Sequence, residues 1–162
     1  MYIHKGIYSQ NKGQFYEQLI LQLKGLIEGE EDWLANLSNT SALLFDQLED
    51  VNWAGFYLCK GDELVLGPFQ GKPACIRISL GKGVCGNAAK ERETIVVEDV
   101  HQFEGHIACD GASRSEIVVP MIKNQVLLGV LDIDSPMKAR FTKEDKEYLE
   151  QLVQLLIKQC EW

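Results

Sequence analysis

NWAGFYLCKGDELVLGPF, residues 52–69, is where the chain changes period. Its two halves, NWAGFYL (52–58) and ELVLGPF (63–69), are rich in aromatic and β-branched residues and are separated by the turn pair Gly61-Asp62. Runs of that kind on either side of a turn pair predict a β-hairpin. Before this stretch the apolar residues recur at three- and four-residue steps. Over residues 14–29, Phe15, Leu19, Leu23, Leu26 and Ile27 follow that spacing while Gln18, Gln22 and Lys24 fall on other faces, which predicts an amphipathic helix. Over residues 31–48, Leu34, Leu37, Ser41, Leu44 and Leu48 repeat the pattern after a break at Gly29. Two helices therefore precede the first strand.

Beyond the hairpin the sequence predicts a short strand at 76–79, a glycine-rich turn GKGVCG (81–86), a short helix over 85–91 and a strand TIVVED (94–99). VHQFEGHIACDGAS (100–113) has no period and two glycines. It reads as a loop, and loops of this length inside a compact domain are often functional. Strands at 116–122 and 126–132 meet at Lys123-Asn124-Gln125. A last helix begins at Thr142, whose spacing to Asp145 is that of a capping box; Tyr148, Leu149, Leu152, Leu155 and Leu156 form its apolar face. This order implies an α+β fold with an antiparallel sheet rather than a doubly wound parallel one. With no internal repeat, low-complexity tract or linker, one domain spanning 1–162 is expected.

Composition narrows the partners. The 162 residues carry a formal charge of −8, which repels phosphate backbones and anionic lipid, so neither nucleic acid nor membrane is an expected partner. MYIHKGIYSQNKGQF lacks an apolar run long enough for a signal peptide, and no segment approaches the ~20 apolar residues of a membrane span, so a cytoplasmic location is expected. Five cysteines in a chain of this length do not form the dense, even-numbered framework of a small secreted domain; a disulfide here is expected to be transient.

Three of those cysteines, Cys75, Cys85 and Cys109, fall in the central stretch. Free cysteine is also a readily buried small hydrophobe, so each has a plain core reading beside a reactive one. Reduction of a sulfoxide by thiols needs a nucleophilic cysteine, a second thiol within reach and an acid for the departing oxygen. Cys109 is the candidate nucleophile because it sits in the loop among Ala108, Gly111 and Ala112. His106 would lower its thiol pKa when protonated and Asp110 would raise it. Cys75 and Cys85 bracket IRISLGKGV; Cys59 and Cys160 are given no role. The acids are Glu116, Asp132 and Asp134. Residues two apart on a strand share a face, so Asp132 and Asp134 form a pair able to bind an ammonium group or to hold one member protonated. No metal site is expected: His101, His106 and Cys109 are close in sequence, but there is no C-x-x-C, H-E-x-x-H or deaminase signature, and GKGVCG lacks the G-K-[ST] of a phosphate loop.

NWAGFYL, LGPFQGKPACIRISLGKGVCG, HIACDGASRSEIVVP and GVLDIDSP together resemble the free methionine-(R)-sulfoxide reductases, a GAF-domain family, over about residues 13–156. The resemblance implies a GAF-like fold with a six-stranded antiparallel sheet packed between helices, a homodimer, and reduction of free L-methionine (R)-sulfoxide with no bound cofactor. Electrons would come from thioredoxin, itself NADPH-linked. By position it implies that Cys109 attacks and becomes a sulfenic acid, that Cys75 resolves it as a disulfide, and that Cys85 is a second thiol of the relay. Glu116, Asp132 and Asp134 match the family's carboxylates, and Trp53 and Tyr57 its pocket aromatics. The competing reading is a non-catalytic small-molecule-binding GAF sensor with redox-sensitive cysteines, which the same fold would serve.

Overall fold

In the computed structural model, which describes residues 5–9, 11–107 and 110–162, the chain runs α1 (Lys12–Ile27), α2 (Trp33–Gln47), β1 (Trp53–Lys60), β2 (Glu63–Gly71), β3 (Arg77–Ser79), α3 (Gly83–Glu91), β4 (Ile95–Val97), β5 (Ser115–Lys123), β6 (Val126–Ser135) and α4 (Lys143–Gln159). The helix starts are set by short polar side chains. Asn11 accepts a hydrogen bond from the Gln14 N–H, and Asp32 accepts one from the Ala35 N–H. Thr142 and Asp145 form the reciprocal capping box of α4.

The strands form one sheet in the order β3-β2-β1-β6-β5-β4, with every neighbouring pair antiparallel. Alternation of side chains then divides it into two faces with different chemistry. On one, Ala54, Phe56, Ile117, Val119, Met121, Leu131 and Ile133 pack against the apolar sides of α1, α2 and α4. Leu19, Leu23, Leu37, Leu44, Leu149, Leu152 and Leu156 have no exposed surface there. Truncating any one of them to alanine costs about 2–5 kcal/mol. On the other face, Trp53, Tyr57, Val118 and Val130 pack beneath α3, which contributes Val84, Cys85, Ala88 and Ala89. The sheet is thus packed between helices, as the sequence predicts.

A polar pin joins the ends of the chain on the first face. Asp145 is fully buried and accepts hydrogen bonds from Tyr16 Oη at 2.7 Å, Lys12 Nζ at 2.6 Å and the Thr142 N–H at 2.7 Å. It ties α1 to α4 through partners 129 and 133 residues away in sequence.

The departures from expectation are local. The strand expected at 94–99 narrows to Ile95–Val97, because the Asp99 side chain accepts from the His101 N–H and starts a 3-10 turn over Val100–Gln102. That turn lies inside the segment read as an unbroken loop. The strand expected to end at Asp132 continues to Ser135, since β6 pairs with β1 through Asp134 and with β5 through Ser135. Asp132 therefore sits within a central strand, and Asp134 is the residue before its last.

Candidate active site

The strand register assembles the acidic face. Glu116 on β5 lies opposite Asp134 on β6, which in turn lies opposite Trp53 on β1; one step along, Asp132 lies between Val118 and Gly55. Glu116, Asp132, Asp134, Trp53 and Tyr57 thus share the face beneath α3. Gly55 is required in this row: a Cβ there would lie 2.3 Å from the Cβ of Phe69. The absence of that carbon lets Phe69 close over Trp53, their rings stacked at 5.2 Å and 13°. Gly86 serves the opposite wall, since a Cβ would meet the Ser79 carbonyl at 2.4 Å. It lets α3 settle against the end of β3.

Between these walls is a partly open cavity of about 540 Å³ of atom-free space, including its mouth. Trp53 and Tyr57 form an aromatic side, with ring centroids 5.9 Å apart. Each ring is fixed by its polar end: Trp53 Nε1–H donates to the Lys72 carbonyl at 3.1 Å, and Tyr57 Oη–H donates to the Cys75 carbonyl at 2.9 Å. Glu116, Asp132 and Asp134 form the floor, and the N-terminal turn of α3, from Lys82 to Cys85, forms a rim. Among the described residues no side chain caps that helix start, so its first N–H groups are unclaimed by a capping side chain at the cavity rim.

Burial dominates the electrostatics of the floor. It raises the pKa of Glu116, Asp132 and Asp134 well above the carboxylate range, and repulsion among the three adds to it. Among the described residues no lysine or arginine forms an ion pair with any of them. Asp132 Oδ1 is buried with no hydrogen-bond partner among the described residues. The Cys85 thiol donates to Glu116 Oε1 at 3.8 Å; burial, then Asp132 and Glu116, push its pKa up. A protonated, buried thiol of this kind is a weak nucleophile. His106 Nε2 lies 3.6 Å from Glu116 Oε2, and burial lowers the imidazole pKa, so a neutral ring stands beside that carboxyl.

The loop approach to the cavity is held from below. Asn52 Nδ2 donates to Asp110 Oδ2 at 3.2 Å and to Ser113 Oγ at 3.1 Å, and the Ala112 N–H donates to Asp110 Oδ1 at 2.9 Å. Lys72 Nζ reaches Asp110 at 3.4 Å. The Ala112 N–H, with Lys72 and Asn52, lowers the Asp110 pKa against its desolvation, so its carboxylate is already engaged. Ile107 and Asp110 both line the cavity.

Comparison with known proteins identifies this architecture. Residues 33–159 match the GAF domain family. The free methionine-R-sulfoxide reductase of Escherichia coli (strain K12) is 55% identical over 148 residues, covering 91% of this chain and 90% of that protein. The Saccharomyces cerevisiae free methionine-R-sulfoxide reductase is 50% identical over 158 residues, covering 93% and 88%. The chain belongs to the free methionine-R-sulfoxide reductases of the GAF family. Among solved structures, that of the Neisseria meningitidis free methionine-R-sulfoxide reductase, in complex with its substrate, superposes with a TM-score of 0.93 at 43% identity, covering 98% of this chain and 95% of that one.

Within this reductase fold, the residues singled out from the sequence are distributed as follows. Trp53, Tyr57, Cys85, Glu116, Asp132 and Asp134 all line one cavity. Cys75 is half-buried, one residue from the cavity-lining Ala74. Cys109 lies outside the described residues. Cys59 and Cys160 lie apart from the cavity, Cys160 at the end of α4 with its sulfur 3.5 Å from Asn36 Nδ2. The sequence reading did not single out Lys72, Lys82 or Asn52. Lys72 has a signal in retrospect, three residues before Cys75 in the block that carries the resemblance. Asn52 has none, because its contacts to Asp110 and Ser113 span 58 and 61 residues.

Proposed function

We propose that the protein reduces free L-methionine (R)-sulfoxide to L-methionine. The observation that carries this reading is the buried acidic floor, with the unpartnered Asp132 Oδ1, facing an uncapped helix start across a cavity walled by two aromatic rings. A free amino acid has the complementary shape. Its ammonium satisfies Asp132 and Asp134, its carboxylate takes the α3 N–H groups, and its sulfur-bearing end lies against Trp53 and Tyr57. A methionine sulfoxide within a protein has neither terminus and is excluded. The two named reductases support the same substrate class.

In the proposed reaction the Cys109 thiolate attacks the sulfoxide, the S–O bond of the substrate breaks, and the oxygen ends on Cys109 as a sulfenic acid while methionine leaves with the electron pair. Glu116, whose pKa burial and then the Asp134 charge push up, supplies the proton to the oxygen. The Cys75 thiol then displaces that oxygen as water, forming a Cys75–Cys109 disulfide. Thioredoxin returns the pair to dithiol by exchange, so each turnover consumes two electrons, originally from NADPH. Cys85 stays protonated beside Glu116 and holds that carboxyl in place, a reserve thiol for the relay. The enzyme works as a cytoplasmic homodimer without a bound cofactor.

The test is a coupled assay with thioredoxin, its reductase and NADPH, comparing free methionine (R)-sulfoxide, the (S) epimer and an N- and C-blocked sulfoxide peptide. NADPH loss with the free (R) epimer alone is expected. Equal rates with the blocked peptide would remove the role given to the two substrate termini, and no turnover with any of them would return the protein to a ligand-binding sensor.

A further inference from the structure

From the sequence no metal site is expected, since the donors that lie close together in it, His101, His106 and Cys109, belong to no metal-binding signature. The fold gathers a different set. One ligand atom from each of Cys85, Glu116 and Asp132, which come from α3, β5 and β6, lies within 4.8 Å of the other two, and all three residues are buried. We propose that these three side chains form a binding site for a borderline divalent ion, zinc, and that zinc occupies it in competition with the substrate.

Several observations converge on this. Zn–S and Zn–O bonds of about 2.3 and 2.1 Å at tetrahedral angles place sulfur and oxygen about 3.6 Å apart. Cys85 Sγ and Glu116 Oε1 are already 3.8 Å apart. The other two separations are within 4.8 Å, which leaves at most about 1.4 Å to be closed by side-chain torsions. Asp132, only 7% exposed, has one carboxylate oxygen without a hydrogen-bond partner among the described residues. No lysine or arginine among the described residues compensates the cluster. A thiol with two carboxylates suits a borderline ion better than magnesium or calcium, which prefer all-oxygen sites. The fourth position opens on the cavity, where the His106 imidazole, 3.6 Å from the second Glu116 oxygen, is the next donor. Binding displaces the Cys85 thiol proton and the protons held by the two carboxyls to solvent, with no change of oxidation state.

Competition with substrate rests on the proposed function, because the ammonium is assigned to the same Asp132 oxygen; metal binding itself does not. The experiment uses Co²⁺ as a spectroscopic substitute for zinc, titrated anaerobically into the reduced full-length protein. A thiolate-to-cobalt charge-transfer band saturating at one equivalent is expected. The band should be lost in Cys85→Ser and weakened at least tenfold in affinity in Glu116→Gln, with circular dichroism reporting that each variant is folded. Asp132→Asn provides a second variant of the same prediction should either fail to fold. A band of undiminished intensity in Cys85→Ser would assign the metal to Cys75 and Cys109 and overturn the proposal, as would no band in the unaltered protein. Excess L-methionine, which binds without reacting, should displace Co²⁺, and Zn²⁺ should raise the KM for the sulfoxide without lowering kcat at saturating substrate. Metal binding indifferent to methionine would refute the competition while leaving the reductase reading intact.

Discussion

Asp132→Asn separates binding from stability, because the structure predicts opposite signs for the two. The substitution is isosteric and leaves an oxygen able to accept from Cys85, but it removes the carboxylate assigned to the substrate ammonium. A hydrogen bond to a charged group contributes about 1.5–3 kcal/mol net. At about 1.4 kcal/mol per factor of ten, affinity for L-methionine should fall roughly tenfold to 150-fold. Stability should move the other way. Asp132 is buried beside Glu116, and burial followed by that neighbouring charge raises its pKa, so the ionised form works against the folded state. An amide carries no such penalty, and Tm at pH 7.5 should rise, at about 2–4 °C per kcal/mol for a chain of this length. Calorimetric titration with L-methionine on the reduced protein gives the first quantity and thermal unfolding of the unliganded protein the second, both with chelator present. Unchanged methionine affinity would refute the assignment of the ammonium. A loss of affinity accompanied by a fall in Tm would mean that the asparagine merely damages the fold.

Three further outcomes follow from other parts of the molecule. Burial raises the pKa of Asp145, but the hydrogen bonds from Lys12, Tyr16 and the Thr142 N–H outweigh it and leave the folded pKa below its unfolded value. Its stabilisation is therefore present above the unfolded carboxylate pKa and lost as pH falls through the folded one. Asp145→Ala should cost about 3–5 kcal/mol at neutral pH, a Tm loss of roughly 6–20 °C, and unfolding followed by circular dichroism should show a shallower acid-side decline than the parent. Asn52→Ala removes the bonds to Asp110 and Ser113 that hold the loop. A misplacement of about 1 Å at a reacting group costs about 100-fold, so kcat should drop ten- to 100-fold with Tm nearly unchanged; a normal kcat would show that the Asn52 bonds to Asp110 and Ser113 play no part in positioning for catalysis. Gly55→Ala forces a Cβ to 2.3 Å from Phe69 Cβ, and overpacking of this kind costs about 1–3 kcal/mol. It should lower Tm and, by shifting Phe69 off Trp53, raise the KM; a Tm equal to the parent's would show that β2 yields freely.

Much of the architecture was legible because it depends on local periodicity. The apolar steps from Phe15 to Ile27 and from Leu34 to Leu48, the aromatic and β-branched strands, and the Thr142–Asp145 box each depend on neighbours within a few residues. The expectations failed where periodicity met a competing contact, in one case across the sheet and in the other within two residues. Polar Asp132 and Asp134 read as the end of a strand, yet pairing with β1 and β5 on both sides extends β6 to Ser135. Asp99 sits in a run that reads as a strand, yet its side chain captures the His101 N–H and turns the chain early.

By itself the sequence determined the helix-helix-sheet-helix order, the antiparallel class, the family, and the residue types a sulfoxide-reducing site needs. Two-residue periodicity was enough to put Asp132 and Asp134 on one face. Only the tertiary structure decided that Glu116 faces Asp134, that the Cys85 thiol donates a hydrogen bond to Glu116, and that Asn52 grips Asp110, because each depends on strand register or on contacts tens of residues apart. It also turned three carboxyls that are ordinary in sequence, Glu116 and Asp132 now buried and Asp134 half-buried, into groups that resist ionisation, since desolvation is a property of the packed protein and not of any stretch of chain.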